Sequence, residues 1–298
     1  MKKFTSKEIK EFVSKPLFDE KIILHKDSSW PRISIVTPSY NQAEFLERTI
    51  LSVLNQNYPN LEYIIIDGGS TDGSVEIIKK YEQFINYWVS EKDKGQSDAI
   101  NKGFEKSTGE ILAWQNSDDV YLDGAFRKVV KVFEKHSDAD LVFGDIYLID
   151  KMSAIIRDIR YVPFSLSCLV HEGWNVTNQA AFWRQKVAKD VGMFDENLQY
   201  GMDFDWFVRV AKSGNRYRNI HDFLGGFRIH EVAKGTMLSE TVGKSEHAKV
   251  RLKYGLNNSN MVLKLYCLFR KSLWYMFQGD WDYALRGLVK RCRHSLPF

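Results

Sequence analysis

Paired cysteines are missing from this chain. It has three, Cys168, Cys267 and Cys292, far apart, odd in number and without a C-x-x-C pair. That spacing excludes a disulfide framework and a cysteine zinc site, and it predicts a reducing compartment. Long apolar runs are missing as well. No stretch of about 18 uninterrupted apolar residues occurs, so no transmembrane helix is expected. Met1 to Lys26 is charged and lacks the apolar centre of a signal peptide. The expected location is therefore cytoplasmic. Several nucleotide and metal motifs are also absent. There is no G-x-x-x-x-G-K-[ST], no G-x-G-x-x-G after the first β-rich segment and no H-E-x-x-H. Asp67 to Gly73 is rich in Asp and Gly, but its spacing is not that of an EF-hand loop.

What is present is an ordinary globular balance. Of 298 residues, 44% are hydrophobic and 27% charged, enough for one large domain or one domain with an appendage. Aromatic residues reach 14%, with 8 Trp. They read first as core, and second as a sugar-binding or membrane-facing surface. The net charge of +4 is too small to point to nucleic acid. Its distribution says more. From Lys249 onward ten Lys and Arg face only Asp280 and Asp282, a surplus of eight, which leaves the rest of the chain at −4. The tail is expected to have a partner of its own.

Periodicity organises the middle of the chain. Residues 1–31 read as a polar leader with room for one short helix. Arg32 to Thr37 is a β-branched strand that Pro38 is expected to end. Ala43 to Gln56 has helical spacing in Phe45, Leu46, Ile50, Val53 and Leu54. Strands at Leu61 to Ile66, Tyr87 to Ser90 and Ile111 to Trp114 alternate with helices at Ser74 to Phe84 and Ser97 to Lys106. This β-α-β order predicts a mostly parallel α/β sheet with helices on both faces. Ligands of such sheets bind beyond the carboxyl ends of the strands. Polar clusters rich in Asp, Asn, Gly and Ser follow all four strands. Further on, Leu141 to Ile149 and Ala154 to Tyr161 read as longer, antiparallel strands, and Asp203 to Lys212 as a helix. From Met261 the chain is basic, aromatic and helical.

Five segments, in order, carry a resemblance. They are SIVTPSYNQAEFLERTILSVLNQ from Ser34, IIIDGGSTDGSVEII from Ile64, SEKDKGQSDAINKGFEKSTGEILAWQNSDD ending at Asp119, NQAAFWRQKVAKDVGMFDENLQYGMDFDWFVRVA, and FRIH from Phe227 to His230. Together they resemble the inverting family 2 glycosyltransferases of the GT-A fold. The resemblance implies a catalytic domain over residues 32–232, with a donor-binding half (32–122) and an acceptor half (123–232), followed by a helical extension (233–298). It implies a nucleotide-sugar donor, most simply a UDP-sugar, and a glycan or lipid-linked glycan acceptor.

Residue roles follow from that resemblance. Thr37, Pro38 and Tyr40 would line the base pocket, and Asp67 would accept a base N–H. Asp93 and Gln96 would join the donor site. Asn116-Ser117-Asp118-Asp119 stands where the family carries D-x-D, with Asn116 in place of the first carboxylate. Asn116 and Asp118 would contact the donor. Asp118 and Asp119, with His230, would hold Mg²⁺ or Mn²⁺ against the diphosphate. Asp203 would be the general base for the acceptor hydroxyl. Met202 precedes it where the family often has Glu. Trp206 would floor the acceptor sugar. Each has an ordinary alternative: turn chemistry for Asp67, helix N-caps for Asp119 and Asp203, core packing for Trp206, a packed or surface residue for His230, and phosphate binding or plain solvation for Arg228.

The tail from Met261 to Phe277 mixes Leu, Phe, Tyr and Trp with Lys264, Arg270 and Lys271. It reads either as a peripheral contact with an anionic membrane surface or as helices packing on the domain or on a second copy. Two rival functions remain. Nucleotidyl transfer would require a Gly-rich basic loop after the first strand, and SIVTPSYNQ has neither Gly nor a cation. A binding or scaffold protein without catalysis would explain Met202 and Asn116.

Overall fold

A computed structural model describes residues 1–167, 169, 176–231, 233–256 and 261–287. Cys168, Cys292, Lys290, Arg291 and Arg293 lie outside the described residues. The only cysteine among the described residues, Cys267, is buried.

One nine-stranded sheet runs through the described residues. Its first half is parallel and comes from β1 (Ile33–Ser39), β2 (Leu61–Asp67), β3 (Tyr87–Ser90) and β4 (Ile111–Trp114), in the order β3-β2-β1-β4. The helices between them are α3 (Ala43–Leu54), α4 (Ser74–Lys80) and α5 (Gln96–Lys106). Every residue of β1, β2 and β4 is buried, as central parallel strands covered on both faces must be. This is why they read as apolar runs and not as alternating strands.

β1 passes through Pro38 to Ser39, against the expectation that Pro38 ends it. The carbonyl of Val36 accepts from Gln115 on the β4 side, and that of Ser39 accepts from Gly68 beyond β2. Alternation then turns the missing N–H of Pro38 toward β4, whose ladder with β1 has already ended at Val36 and Trp114. The ladder loses nothing there.

The second half is mixed. β5 (Val120–Tyr121), β6 (Leu141–Ile149), β7 (Ile155–Ile159), β8 (Ala181–Arg184) and β9 (Tyr217–Arg228) continue the sheet as β4-β8-β6-β9-β5, with β7 antiparallel on β6. β8 runs antiparallel to both β4 and β6 and joins the two halves. β9 runs parallel to β6 and ends just before His230. α6 (Ala125–Lys135) follows β5, and α7 (Gln185–Val191) and α8 (Met202–Lys212) lie between β8 and β9.

Residues before Pro31 form two helices, α1 (Ser6–Ser14) and α2 (Glu20–Leu24). Thr5 caps α1 reciprocally with Glu8. Ile9 and Val13 are buried in a cluster with Val120, Leu122, Tyr147 and Phe223. After β9 come α9 (Lys234–Leu238), α10 (Lys244–Lys253) and α11 (Met261–Phe277). None of the described helices is long and apolar enough to cross a membrane.

Candidate functional site

Because β1 to β4 are parallel, their carboxyl ends open on one side of the sheet. The loops there are tied to one another. Asn41 adopts a left-handed φ of 50°. Its N–H donates to Ser70 Oγ (2.8 Å) and its Oδ1 accepts from the N–H of Thr71 (2.9 Å). The N–H of Ala43 donates to Asp72 Oδ2 (2.9 Å). Tyr40 stands exposed at this rim, whereas Thr37 and Pro38 are buried beneath it. The Thr37 and Tyr63 hydroxyls lie 3.2 Å apart.

Asp67 is fully buried and holds its own loop. Its Oδ2 accepts from the N–H groups of Gly69 (3.1 Å) and Ser70 (2.8 Å) and from Ser90 Oγ (2.7 Å), while Oδ1 accepts from Ser70 Oγ (2.5 Å). The turn role expected as an alternative is therefore realised, and Oδ1 keeps one lone pair. Gly68 matters for a different reason. A Cβ there would stand 2.7 Å from Asp93 Oδ2, so the absent side chain makes room for Asp93. Burial pushes the Asp93 carboxyl up, against the N–H of Gly95 that it accepts (2.8 Å).

The N-S-D-D segment divides into two carboxylates with different duties. Helix α3 fixes the segment, because Thr49 Oγ1 donates to the carbonyls of Ser117 and Asp119. Asp119 points inward and is fully buried. It accepts from Gln179 Nε2 (2.7 Å), Asn116 Nδ2 (3.1 Å) and the N–H of Arg228 (2.8 Å). Burial and the neighbouring Asp118 push its carboxyl well up. Both oxygens thus turn inward to protein donors, Oδ1 with one lone pair left, which departs from the expectation that Asp119 faces a metal. It does not cap a helix either, because α6 starts after Gly124.

Asp118 faces the other way. Its Oδ2 lies 3.1 Å from His230 Nε2, and Phe45 backs the imidazole at 4.4 Å. His230 Nδ1 is buried without a partner. Arg228 is not solvated, and its Nη2 is buried without a partner. It is fully buried and donates to the carbonyls of Asp118, Asp150 and Lys151 and to Ser153 Oγ. Burial lowers its guanidinium to about 10.

Asp118 and His230 thus bring one carboxylate oxygen and one imidazole nitrogen to the same point. No group of three His, Cys, Asp or Glu suited to a metal occurs among the described residues. An ion that bridges substrate phosphates needs only one or two protein ligands, so the donor set fits such an ion and not an all-protein cage.

Asp203 lies in the first turn of α8. The helix is capped by Gly201, so the N-cap alternative does not apply. Asp203 Oδ1 accepts the N–H of Phe204 (2.8 Å). Burial is the main influence on Asp203 and raises its carboxyl to about 6, against that hydrogen bond and the attraction of Lys234. Met202 is buried and its sulfur takes the hydroxyl of Ser97 (2.8 Å). Trp206 is 1% exposed and packs against Trp114, Trp183, Phe194 and Phe207. This corrects its expected role: it is core, out of reach of an acceptor sugar. Asp205, two residues beyond Asp203, is buried and pairs with Arg209 and Lys253.

Four residues with a place in this site were not picked out from the sequence. Gln179 holds Asp119. Lys234 Nζ donates to Gln96 Oε1 (3.0 Å), and Gln96 Nε2 donates to Asn116 Oδ1 (2.8 Å). Glu246 accepts the N–H groups of Gln199 (3.0 Å), Tyr200 (2.8 Å) and Gly201 (2.8 Å), the three residues before α8. Ser90 holds Asp67. The network Lys234–Gln96–Asn116–Asp119 therefore crosses from the C-terminal segment to the carboxyl end of β4.

A parallel half, a mixed half entered through β8, and carboxylates at the strand ends define a GT-A type fold. The model of glycosyl transferase family 2 matches residues 34–186, and the chain belongs to that family. An uncharacterized glycosyltransferase of Rickettsia typhi is 29% identical over 67% of this chain, and the match spans 65% of that relative. Glycosyltransferase AglE of Haloferax volcanii is 28% identical over 66% of this chain and 67% of its own length. Among solved structures, S. aureus TarS 1–349 in complex with UDP-GlcNAc aligns with a TM-score of 0.59 at 17% identity, over 82% of this chain and 71% of that one. The mannosyltransferase PcManGT from Pyrobaculum calidifontis, in complex with GDP-Man and Mn²⁺, aligns with a TM-score of 0.56 at 16% identity, over 98% of this chain and 83% of that one. Likenesses at such low identity establish the fold alone.

Proposed function

We propose that this chain transfers a hexose or N-acetylhexosamine, with inversion, from a nucleotide-diphosphate donor to a hydroxyl of a glycan or lipid-linked glycan. One observation carries the reading. Asp203, in the first turn of α8, lies within electrostatic reach of Lys234, which hydrogen-bonds Gln96 and through it Asn116 of the β4 loop that also carries Asp118. The Asp203 carboxylate takes the acceptor proton as the acceptor oxygen attacks the anomeric carbon. The bond from that carbon to the diphosphate breaks on the opposite face, and its electron pair leaves with the nucleotide. Tyr40 stacks on the base, and the spare lone pair of Asp67 accepts a base N–H. A UDP-sugar is the donor of first choice, in keeping with the UDP-GlcNAc held by TarS; the GDP-Man held by PcManGT makes a guanine donor the alternative.

Asp118 and His230 would hold Mg²⁺ or Mn²⁺. When bound, the ion supplies neutralising charge to the departing diphosphate. The test is donor turnover by Asp203→Asn and Asp118→Asn. Each is expected to lose at least about a hundredfold in rate, and near wild-type turnover in both would remove the reading. A thermal-shift screen of UDP- and GDP-sugars with and without Mn²⁺ ranks the donors, since ligand bound to the native state raises its stability.

The extension completes the reading. α11 is proposed to lie against the anionic face of a membrane, peripheral and on the cytoplasmic side, near a lipid-linked acceptor.

A further inference from the structure

We propose that Lys234 is a diphosphate-binding cation of the donor site, an inference that rests on the reading that this site takes a nucleotide-diphosphate donor. The argument begins with unused hydrogen-bond capacity. An ammonium carries three donors. Lys234 is half-buried, and among the described residues its single hydrogen bond goes to a neutral amide oxygen, Gln96 Oε1 at 3.0 Å. No carboxylate among them forms an ion pair with it. Asp203 and Glu246 attract it only from a distance, and burial outweighs them and pushes its ammonium down. A half-desolvated cation with two idle donors is costly unless an anion joins it.

The surroundings say which anion. Gln96 passes the contact on to Asn116, and Asn116 to Asp119. Lys234 therefore stands beside the β4 loop that also presents Asp118. Acidic residues dominate this neighbourhood: Asp93, Asp118, Asp119 and Asp203. A diphosphate entering it requires a cation with donors to spare. Arg228 cannot serve, because it is fully buried: Nε and Nη1 are committed to loop groups, and Nη2, the donor left over, is enclosed in the interior. Lys234 can.

Its position is also built. Lys234 and Glu246 belong to the same C-terminal segment, and Glu246 holds that segment against Gln199, Tyr200 and Gly201. Gly243 and Gly201 allow the close fit, since a Cβ on Gly243 would stand 2.8 Å from the Tyr200 ring and one on Gly201 would stand 3.3 Å from Glu246. The same latch thus holds the cation on one side and the start of the Asp203 helix on the other. As the sugar–diphosphate bond breaks, the electron pair moves onto the diphosphate oxygen, and the Lys234 ammonium donates hydrogen bonds to the diphosphate. The acceptor proton goes to Asp203, so Lys234 gives up none.

The experiment is calorimetric titration of the full chain with UDP, GDP, uridine and guanosine, Mg²⁺ present throughout. Wild type is compared with Lys234→Ala and with Lys234→Met, which keeps the apolar stem. The expected result is that both variants bind the preferred nucleoside diphosphate about tenfold or more weakly, the order of one charge-assisted hydrogen bond. Their affinity for the matching nucleoside should be unchanged. Lys234→Arg should recover part of the loss. If wild type binds UDP or GDP and both variants bind it equally well, Lys234 is not the cation and the donor-site reading stands. If nucleoside and diphosphate weaken together, the side chain shapes the pocket and the inference is overturned. If wild type binds neither diphosphate, the donor-site reading falls and this inference with it.

Discussion

Asp203 carries two opposed consequences of one burial. Its carboxyl is raised from the ordinary value of 3.8 to about 6. As a base it must be ionised, so donor turnover should rise with pH through about 6 and level off above it. Stability runs the other way. The folded state holds the proton more tightly than the unfolded chain, so this contribution is complete below about 3.8 and is lost as pH rises through about 6. Above that, the fold carries a buried charge. Asp203→Asn should therefore abolish turnover yet leave the protein as stable or more stable at pH 8, by up to about 3 kcal/mol, with the gain vanishing near pH 4. Urea midpoints at the two pH values measure it; a variant less stable at pH 8 than at pH 4, relative to wild type, contradicts the assignment. Trp206 shows the complementary case. Buried among Trp114, Trp183 and Phe194, it should cost about 3–5 kcal/mol when changed to Ala. Trp206→Phe should keep most of the stability and leave the acceptor KM unmoved, which a sugar-stacking residue would not.

At the scale of elements, the site depends on how closely β9 approaches the loop before β8. A Cβ on Gly225 would overlap the backbone carbonyl of Gln179, and backbone cannot swing aside. Gln179 is also the residue that donates to Asp119. Gly225→Ala should thus unseat Gln179, destabilise the fold by more than about 2 kcal/mol and weaken donor binding, as thermal melts and nucleotide titration would record. Gly226→Ala, which meets movable side chains of Val120 and Ile149 at 3.1 and 3.2 Å, should be milder. Equal effects at the two positions would dismiss the backbone argument.

This difference between backbone and side-chain constraint also marks what the sequence disclosed. β1 to β4 were legible because central parallel strands are short apolar runs between strong punctuation, and their boundaries came within a residue or two. The strand through Pro38 was misjudged because one-dimensional reading does not know which edge a missing N–H faces. β9 was missed for the opposite reason: YRNIHDFLGGFR is polar and glycine-rich, and its partners β6 and β5 make it a strand. Within the candidate site, motif order singled out Asp118, His230 and Asp203, and the structure brings Asp118 and His230 within 3.1 Å of each other. The inward turn of Asp119 was not legible, since it is set by Gln179, 60 residues away. Lys234 and Glu246 gave no signal, because their meaning lies in side chains brought from far along the chain.

For the whole molecule, the C-terminal segment is both part of the site and a separate surface. One face of α11 is anchored: Tyr275 Oη donates to the carbonyl of Arg160 (2.8 Å), Arg270 donates to that of Pro163 (2.9 Å), and Asp280 just beyond pairs with Arg160 and His221. The opposite face is apolar and outward. Leu265, Tyr266, Phe269 and Phe277 are exposed, Phe277 at 83%, and Trp281 and Leu285 continue the patch. A patch of this kind implies a partner. A second copy is disfavoured, because among the described residues 261–287 Lys264, Arg270, Lys271 and Arg286 outnumber Asp280 and Asp282, and a two-fold contact would set like charge against like. An anionic bilayer suits both properties, with the aromatic side chains at the headgroup level and the cations beside them. The full chain should therefore sediment with vesicles containing phosphatidylserine and not with neutral ones. Lys290→Gln, Arg291→Gln and Arg293→Gln together should weaken binding about a hundredfold, at roughly 1 kcal/mol per cation. Leu265→Ser with Phe269→Ser should weaken it further without altering turnover of a soluble acceptor, because neither residue is among those that form the donor network. Equal binding to neutral and anionic vesicles, or a concentration-dependent dimer that these two serines abolish, would give the surface to another partner.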